Sequence, residues 1–199
     1  IPINLENHIK RMLEGAKAIK IRVPSYFTTE FFDIRIRELC KKSGITLGGF
    51  CRLSLDRMNG GKYKPETNDA QFFIEVKPID HNDFILNTKG LEVDIFTDLK
   101  KQKNALANFK LKNCLLSIMA SIKAQERQLD DLLISNDVGG ILESSSSNLF
   151  VVSNGVLYTP GLEEGCLAGT MRMQIINLAI RNNIRVYESN ILPQNLLVA

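Results

Sequence analysis

Histidine and paired cysteine are scarce in this 199-residue chain. Its two histidines are His8 and His81, and its four cysteines, Cys40, Cys51, Cys114 and Cys166, form no Cys-x-x-Cys pair. Such spacing offers no tetrahedral ligand set, so a structural zinc centre is excluded and no metal is expected. Four scattered cysteines also make no disulfide framework. They read as free buried thiols, and a reducing, cytoplasmic setting is expected. A strong charge of either sign is missing too: 25 basic against 22 acidic residues leave a net +3. The densest basic run, Lys100, Lys101 and Lys103, reads as a solvated loop, and no nucleic-acid partner is expected. No apolar run approaches the roughly 18–20 residues of a membrane span, so no membrane partner is expected. The start, Ile1-Pro2-Ile3-Asn4, has neither the basic nor the apolar region of a signal peptide. The chain opens almost directly on a helical pattern and stops inside the apolar run Leu196-Leu197-Val198-Ala199. A trimmed piece of a longer protein is therefore expected.

What is present is a normal globular composition. Hydrophobic residues make up 44% and charged residues 24%, enough apolar material for one or two packed domains. After Asn4, a plausible N-cap, Ile9, Met12, Leu13 and Ala16 recur at helical spacing. A second helix is predicted from about Thr29 to Lys42, with Phe32, Ile36 and Leu39 inward and Gly44 as its stop. Alternation then predicts strands at Cys51-Leu53-Leu55, Phe72-Ile74-Val76 and Leu91-Val93-Ile95. Periodicity fades between Thr97 and Asn108, and residues 100–108 are the candidate linker between a domain of residues 1–99 and one of residues 109–199. Beyond it, Leu115, Ile118, Met119 and Ile122 define a helix, Leu132-Leu133-Ile134 a strand and Asn136 to Gly140 a turn. Two strands, Leu149 to Val152 and Val156 to Tyr158, flank Asn154-Gly155, a strong hairpin signal. A helix from about Thr170 to Asn182, with Ile175, Leu178 and Ala179 inward, precedes a strand at Ile184 to Tyr187. This mixture predicts α/β or α+β domains.

Three stretches could carry chemistry. One is Asn108-Phe109-Lys110-Leu111-Lys112-Asn113, ahead of a helix. Another is Glu143-Ser144-Ser145-Ser146-Ser147-Asn148-Leu149-Phe150, too short and too tightly flanked by apolar segments for an interdomain linker. The third, Gly165-Cys166-Leu167-Ala168-Gly169-Thr170-Met171-Arg172, opens a helix whose free N–H groups and dipole favour an anion. Singly, each has an ordinary reading: a surface lysine, a turn, a capped helix.

Together these stretches resemble the class IV aminotransferases of fold type IV, a family that includes branched-chain and D-amino acid aminotransferases and aminodeoxychorismate lyase. The match runs through Lys110, Asn113, Glu143, Asn148, Phe150, Leu157-Tyr158-Thr159-Pro160, Leu167, Gly169 and Arg172. In the first helix, His8 and Arg11 also match. The resemblance implies two α/β domains, a small N-terminal one and a larger C-terminal pseudo-barrel, with pyridoxal 5'-phosphate as cofactor. Lys110 would form the Schiff base with it and later move the substrate proton, with Lys112 as the rival anchor. Glu143 would face the pyridine nitrogen and keep the ring an electron sink. Arg11 would pair with the phosphate, and Gly169, Thr170 and Met171 would cap it with backbone N–H groups. Ser146, Ser147 and Asn148 would line the cofactor side of their loop. Two positions depart from the family: Ala168 stands where proline is common and Met171 where threonine is. The implied reaction is amino transfer from an amino acid to a 2-oxo acid. Pyruvate elimination of the aminodeoxychorismate type is an alternative, and a silent cofactor-binding relative a third. The serine run fits D-amino acid transaminases and the lyases better than the branched-chain enzymes. A homodimer is implied as well.

Overall fold

The computed structural model describes residues 2–80, 83 and 85–197. His81, Val198 and Ala199 lie outside the described residues. The chain divides into two compact units, one up to Asn87 and one from Thr88.

In the first unit, helices α1 (Leu5–Ala18) and α2 (Thr29–Lys42) pack on an antiparallel pair, β1 (Gly48–Arg57) and β2 (Ala70–Ile79). The helical apolar spacing is realised: Ile9, Phe32 and Ile36 are buried, with Met12, Leu13, Cys40, Cys51, Leu53, Leu55, Phe72 and Ile74 against them. Phe27, Phe32 and Phe72 meet edge to face, with ring centroids 5.2–5.3 Å apart, a geometry the ring quadrupoles favour. Thr28 caps α2 by accepting the Phe31 N–H. Asn4 does hold the N-cap position of α1, but in a left-handed conformation, and its side chain makes no capping bond.

The second unit contains two β-α-β crossovers. β3 (Val93–Lys101) leads through α3 (Leu115–Glu126) to β4 (Asp131–Asn136), parallel to β3, and β5 (Ile141–Ser144) adds antiparallel on the other side of β4. A hairpin of β6 (Val151–Ser153) and β7 (Val156–Pro160) follows, then α4 (Thr170–Arg181) and β8 (Val186–Ser189), parallel to β7. A short helix, α5 (Pro193–Leu196), ends the described chain. Parallel neighbours need such crossovers, which helices supply. Asn154 and Gly155 both have positive φ, 51° and 72°, as the tight hairpin turn requires. β4 is covered on both faces. Leu132 and Ile134 pack with Phe96, Ala120 and Ala124, while Leu133 packs with Ile141, Val151 and Ile191. This is why its sequence is a continuous apolar run rather than an alternation.

Several expectations differ from what is observed. The division at Asn87/Thr88 lies upstream of residues 100–108, because Val93–Lys101 forms a strand hydrogen-bonded to β4. Leu178, expected inward, is 61% exposed, and α4 buries Thr170, Arg172 and Ala179 instead. In α3 the stripe Leu115, Ile118, Met119 and Ile122 faces outward, and the small residues Ala120 and Ala124 meet the sheet. The last strand begins at Val186, two residues after Ile184. No helix among the described residues is long and apolar enough to cross a membrane.

Candidate functional site

The second unit gathers three of its loops at one place, and the gathering starts from backbone needs. The loop from Leu162 to Gly169 precedes α4 and has no strand partners, so side chains supplement the few backbone bonds its carbonyls accept. Asn108 donates to the carbonyls of Leu162 (2.8 Å) and Cys166 (2.6 Å), and its own carbonyl accepts the Ala168 N–H at 2.9 Å. Asn136 donates to the Glu164 carbonyl (3.1 Å) and carboxylate (3.0 Å), and Lys103 pairs with the same carboxylate at 3.3 Å. Asn108 therefore holds the segment that carries Lys110 two residues later against the segment that opens α4.

Glu143 lies near the end of β5. Its Oε2 accepts the Leu167 N–H at 2.9 Å and its Oε1 the Lys101 ammonium at 2.6 Å. The two side chains are only 20% and 16% exposed. The basic run that reads as a solvated loop is thus corrected. Lys101 ends β3 and pairs with Glu143, and Lys103 pairs with Glu164.

Asn148 bridges back to Glu143 through the backbone, and its amide lies against Gly169. A Cβ on Gly169 would collide with the Asn148 amide oxygen. Gly169 adopts an extended conformation and no side chain caps α4, so the first-turn N–H groups of Thr170 and Met171 have no capping acceptor. Thr170 is buried, while the Met171 side chain is exposed. The glycine is needed here for close approach, not for unusual dihedrals.

The serine loop is organised by Asp131, which pattern reading did not single out. Its carboxylate accepts the Ser144 hydroxyl (2.6 Å), the Ser145 N–H (3.2 Å) and, more distantly, the Ser146 hydroxyl (3.5 Å). The Ser144 hydroxyl oxygen in turn accepts the N–H groups of Ser146 (3.4 Å) and Ser147 (3.0 Å). Burial pushes the Asp131 carboxyl upward. The bonds from Ser144 and Ser145 and from the Leu132 and Ser145 N–H groups outweigh it and leave the group below the ordinary carboxylate value. The Ser146 hydroxyl therefore turns back toward Asp131, and Asn148 is the loop side chain that meets the start of α4.

Arg172, part of the matched motif, is structural. Its Nη2 donates to the Pro160 carbonyl (2.7 Å) and Glu188 (2.6 Å), which ties α4 to β7 and β8. The neighbouring Cys166 is buried, and burial raises its thiol above the ordinary value.

Lys110 is exposed in the loop before α3, and its amine forms no hydrogen bond or ion pair with the described residues. Arg11 lies on α1 of the first unit. It is half-buried, has no carboxylate partner among the described residues, and burial lowers its guanidinium from the ordinary value.

The family model described as amino-transferase class IV matches residues 1–199. The chain belongs to the class IV aminotransferase family. It is 27% identical over 204 residues to a Methanocaldococcus jannaschii protein named for branched-chain-amino-acid aminotransferase activity, covering 98% of this chain and 67% of that one. Among solved structures it is similar to the branched-chain aminotransferase from Thermoproteus uzoniensis with norvaline, at TM-score 0.84 and 26% identity over 96% of this chain and 64% of that one. The enzyme from Thermobaculum terrenum in its PLP form superposes at TM-score 0.82, with 22% identity over 96% of this chain and 62% of that one. The chain thus spans about two thirds of the length of these class IV relatives.

Proposed function

We propose that this chain is the cofactor-holding part of an aminotransferase that moves an amino group between an amino acid and a 2-oxo acid, with pyridoxal 5'-phosphate held at Lys110. The observation that carries the reading is the convergence of the Glu143 carboxylate, the Asn148 amide and the uncapped start of α4, beside the segment that bears Lys110. The donor set fits the cofactor's chemistry. First-turn N–H groups suit a phosphate, a carboxylate suits a protonated ring nitrogen, and an unpaired lysine suits an aldehyde. Gly169 leaves no room for a Cβ beside Asn148, so the loop and the helix start are held as one surface.

Bound there, the cofactor supplies an electron sink for the electron pair released when the substrate Cα loses its proton. The chain's own groups do the rest. Lys110 Nζ would anchor the cofactor and, when free, would take up and hold the proton lost from the substrate Cα. Glu143 would hold the ring nitrogen, and Gly169 would leave the Thr170 and Met171 N–H groups open to the phosphate. Asn148, whose side chain makes no hydrogen bond with the described residues, is oriented by Ser144, Ser146 and Ser147 on the Asp131 anchor. A homodimer belongs to the same proposal, supported by the outward apolar stripe of α3. So does a reducing, cytoplasmic setting, supported by four free cysteines.

The test is spectroscopic. Full-length protein incubated with pyridoxal phosphate should develop a visible band. An L-branched-chain or D-amino acid should bleach it, and a 2-oxo acid should restore it. A protein that stays colourless sinks the reading. Pyruvate released from aminodeoxychorismate without an amino acceptor would replace transfer by elimination.

A further inference from the structure

The Lys101–Glu143 pair is built by topology rather than by any local motif. Lys101 ends β3 and stands opposite Asn136 across the parallel β3–β4 ladder, while Glu143 stands opposite Ile134 on the far side of β4. An ammonium from one outer strand thus reaches a carboxylate on the other. Each Glu143 oxygen has one donor, Lys101 Nζ at 2.6 Å and the Leu167 N–H at 2.9 Å. A carboxylate oxygen accepts about two hydrogen bonds, so each retains a free lone pair while the carboxylate plane is fixed. The pair is largely withdrawn from solvent and escapes much of the screening that makes surface pairs weak. The Lys101 ammonium is thereby committed to Glu143, whereas the Lys110 amine has no hydrogen-bond or ion-pair partner among the described residues.

We propose that Lys101 is a positioning residue that fixes and charge-balances the Glu143 carboxylate, and so sets how strongly the bound cofactor holds its protons. The proposal rests on the reading that Glu143 faces the cofactor's ring nitrogen. Lys101 adds a positive charge behind that carboxylate, which disfavours the protonated form of whatever Glu143 touches. Removing the charge therefore moves the cofactor's titration upward.

The experiment records the visible band of pyridoxal phosphate bound to the full-length protein as a function of pH, in wild type, K101M, K101Q and K101R. Apo-protein folding is checked by circular dichroism and thermal unfolding. K101M and K101Q are expected to raise the midpoint by on the order of one pH unit, and to weaken cofactor retention by about tenfold. K101R, which keeps the charge, should titrate near wild type. K101Q retains a neutral donor one bond shorter than the ammonium, and it serves as the second neutral variant if K101M does not fold. A merely structural lysine would lower the unfolding temperature of both neutral variants and leave the midpoint in place, and that result overturns the proposal. Failure of the underlying reading looks different: wild type forms no band, or Lys110→Ala still forms one.

Discussion

Replacing Gly169 with alanine tests the close approach on which the site depends. Gly169 sits at φ −71° and ψ 135°, a region open to every L-residue, so the substitution adds no backbone strain. Its cost is steric. The new Cβ would run into the Asn148 amide oxygen, with the Asn148 Cγ at 3.2 Å and the Arg172 Cβ at 3.4 Å as the next neighbours. The Asn148 backbone cannot retreat freely, because the loop before it is pinned to Asp131, and Arg172 is locked to Pro160 and Glu188, so the clash is relieved only by turning the Asn148 amide away from the start of α4. Overpacking of this kind costs about 1–3 kcal/mol, and in a chain of this size each kcal/mol lowers Tm by about 2–4 °C. The same displacement should loosen cofactor binding. The decisive form is a double-mutant cycle with Asn148→Ala. In that background Gly169→Ala should cost well under 1 kcal/mol, giving a coupling of about 1 kcal/mol or more in urea unfolding. Effects that add within about 0.5 kcal/mol would show that the two groups do not constrain each other, and the reasoning would fail.

Other outcomes follow from the same contacts. Asp131 is held below its ordinary value in the fold, so its contribution is fully present above the unfolded carboxylate value of about 3.9 and is lost as pH falls through the lower folded value. Asp131→Asn should therefore destabilise at neutral pH, and the difference from wild type should shrink as pH falls below the unfolded value and through the lower folded one, as followed by unfolding at a series of pH values; a constant difference would contradict the assignment. Arg172→Met should lower stability by about 2–4 kcal/mol through loss of the buried bonds to Pro160 and Glu188. Glu188→Gln should cost less, because Glu188 is 47% exposed and can rehydrate. Equal losses for the two variants would contradict that ranking.

The elements most legible in the sequence are those whose signals are local. Asn154-Gly155 names its own turn, the Ile9-Met12-Leu13-Ala16 stripe names α1, and Leu132-Leu133-Ile134 is apolar because β4 is covered twice. What was not legible depends on partners far along the chain. Lys101 looks like its neighbours Lys100 and Lys103 until β3 and β5 flank β4 and bring Glu143 within 2.6 Å. Asp131 looks like the polar end of an apolar strand, and only the return of Ser144 and Ser145 to its side shows it as the anchor of the serine loop. The outward stripe of α3 has the spacing of a buried face, and periodicity cannot tell which side meets the sheet when alanines fill the tight contact. At the site, ordered motifs marked Glu143, Asn148 and Gly169, but not the steric reason that Gly169 must be glycine.

The central claim is that Lys110 anchors the cofactor, and its most direct measurement is chemical. Full-length protein loaded with pyridoxal phosphate is reduced with borohydride, digested, and mapped by mass spectrometry. The account predicts a cofactor adduct on Lys110 that disappears in Lys110→Ala. An adduct on Lys112 or Lys101, or a covalently retained cofactor in Lys110→Ala, would contradict it.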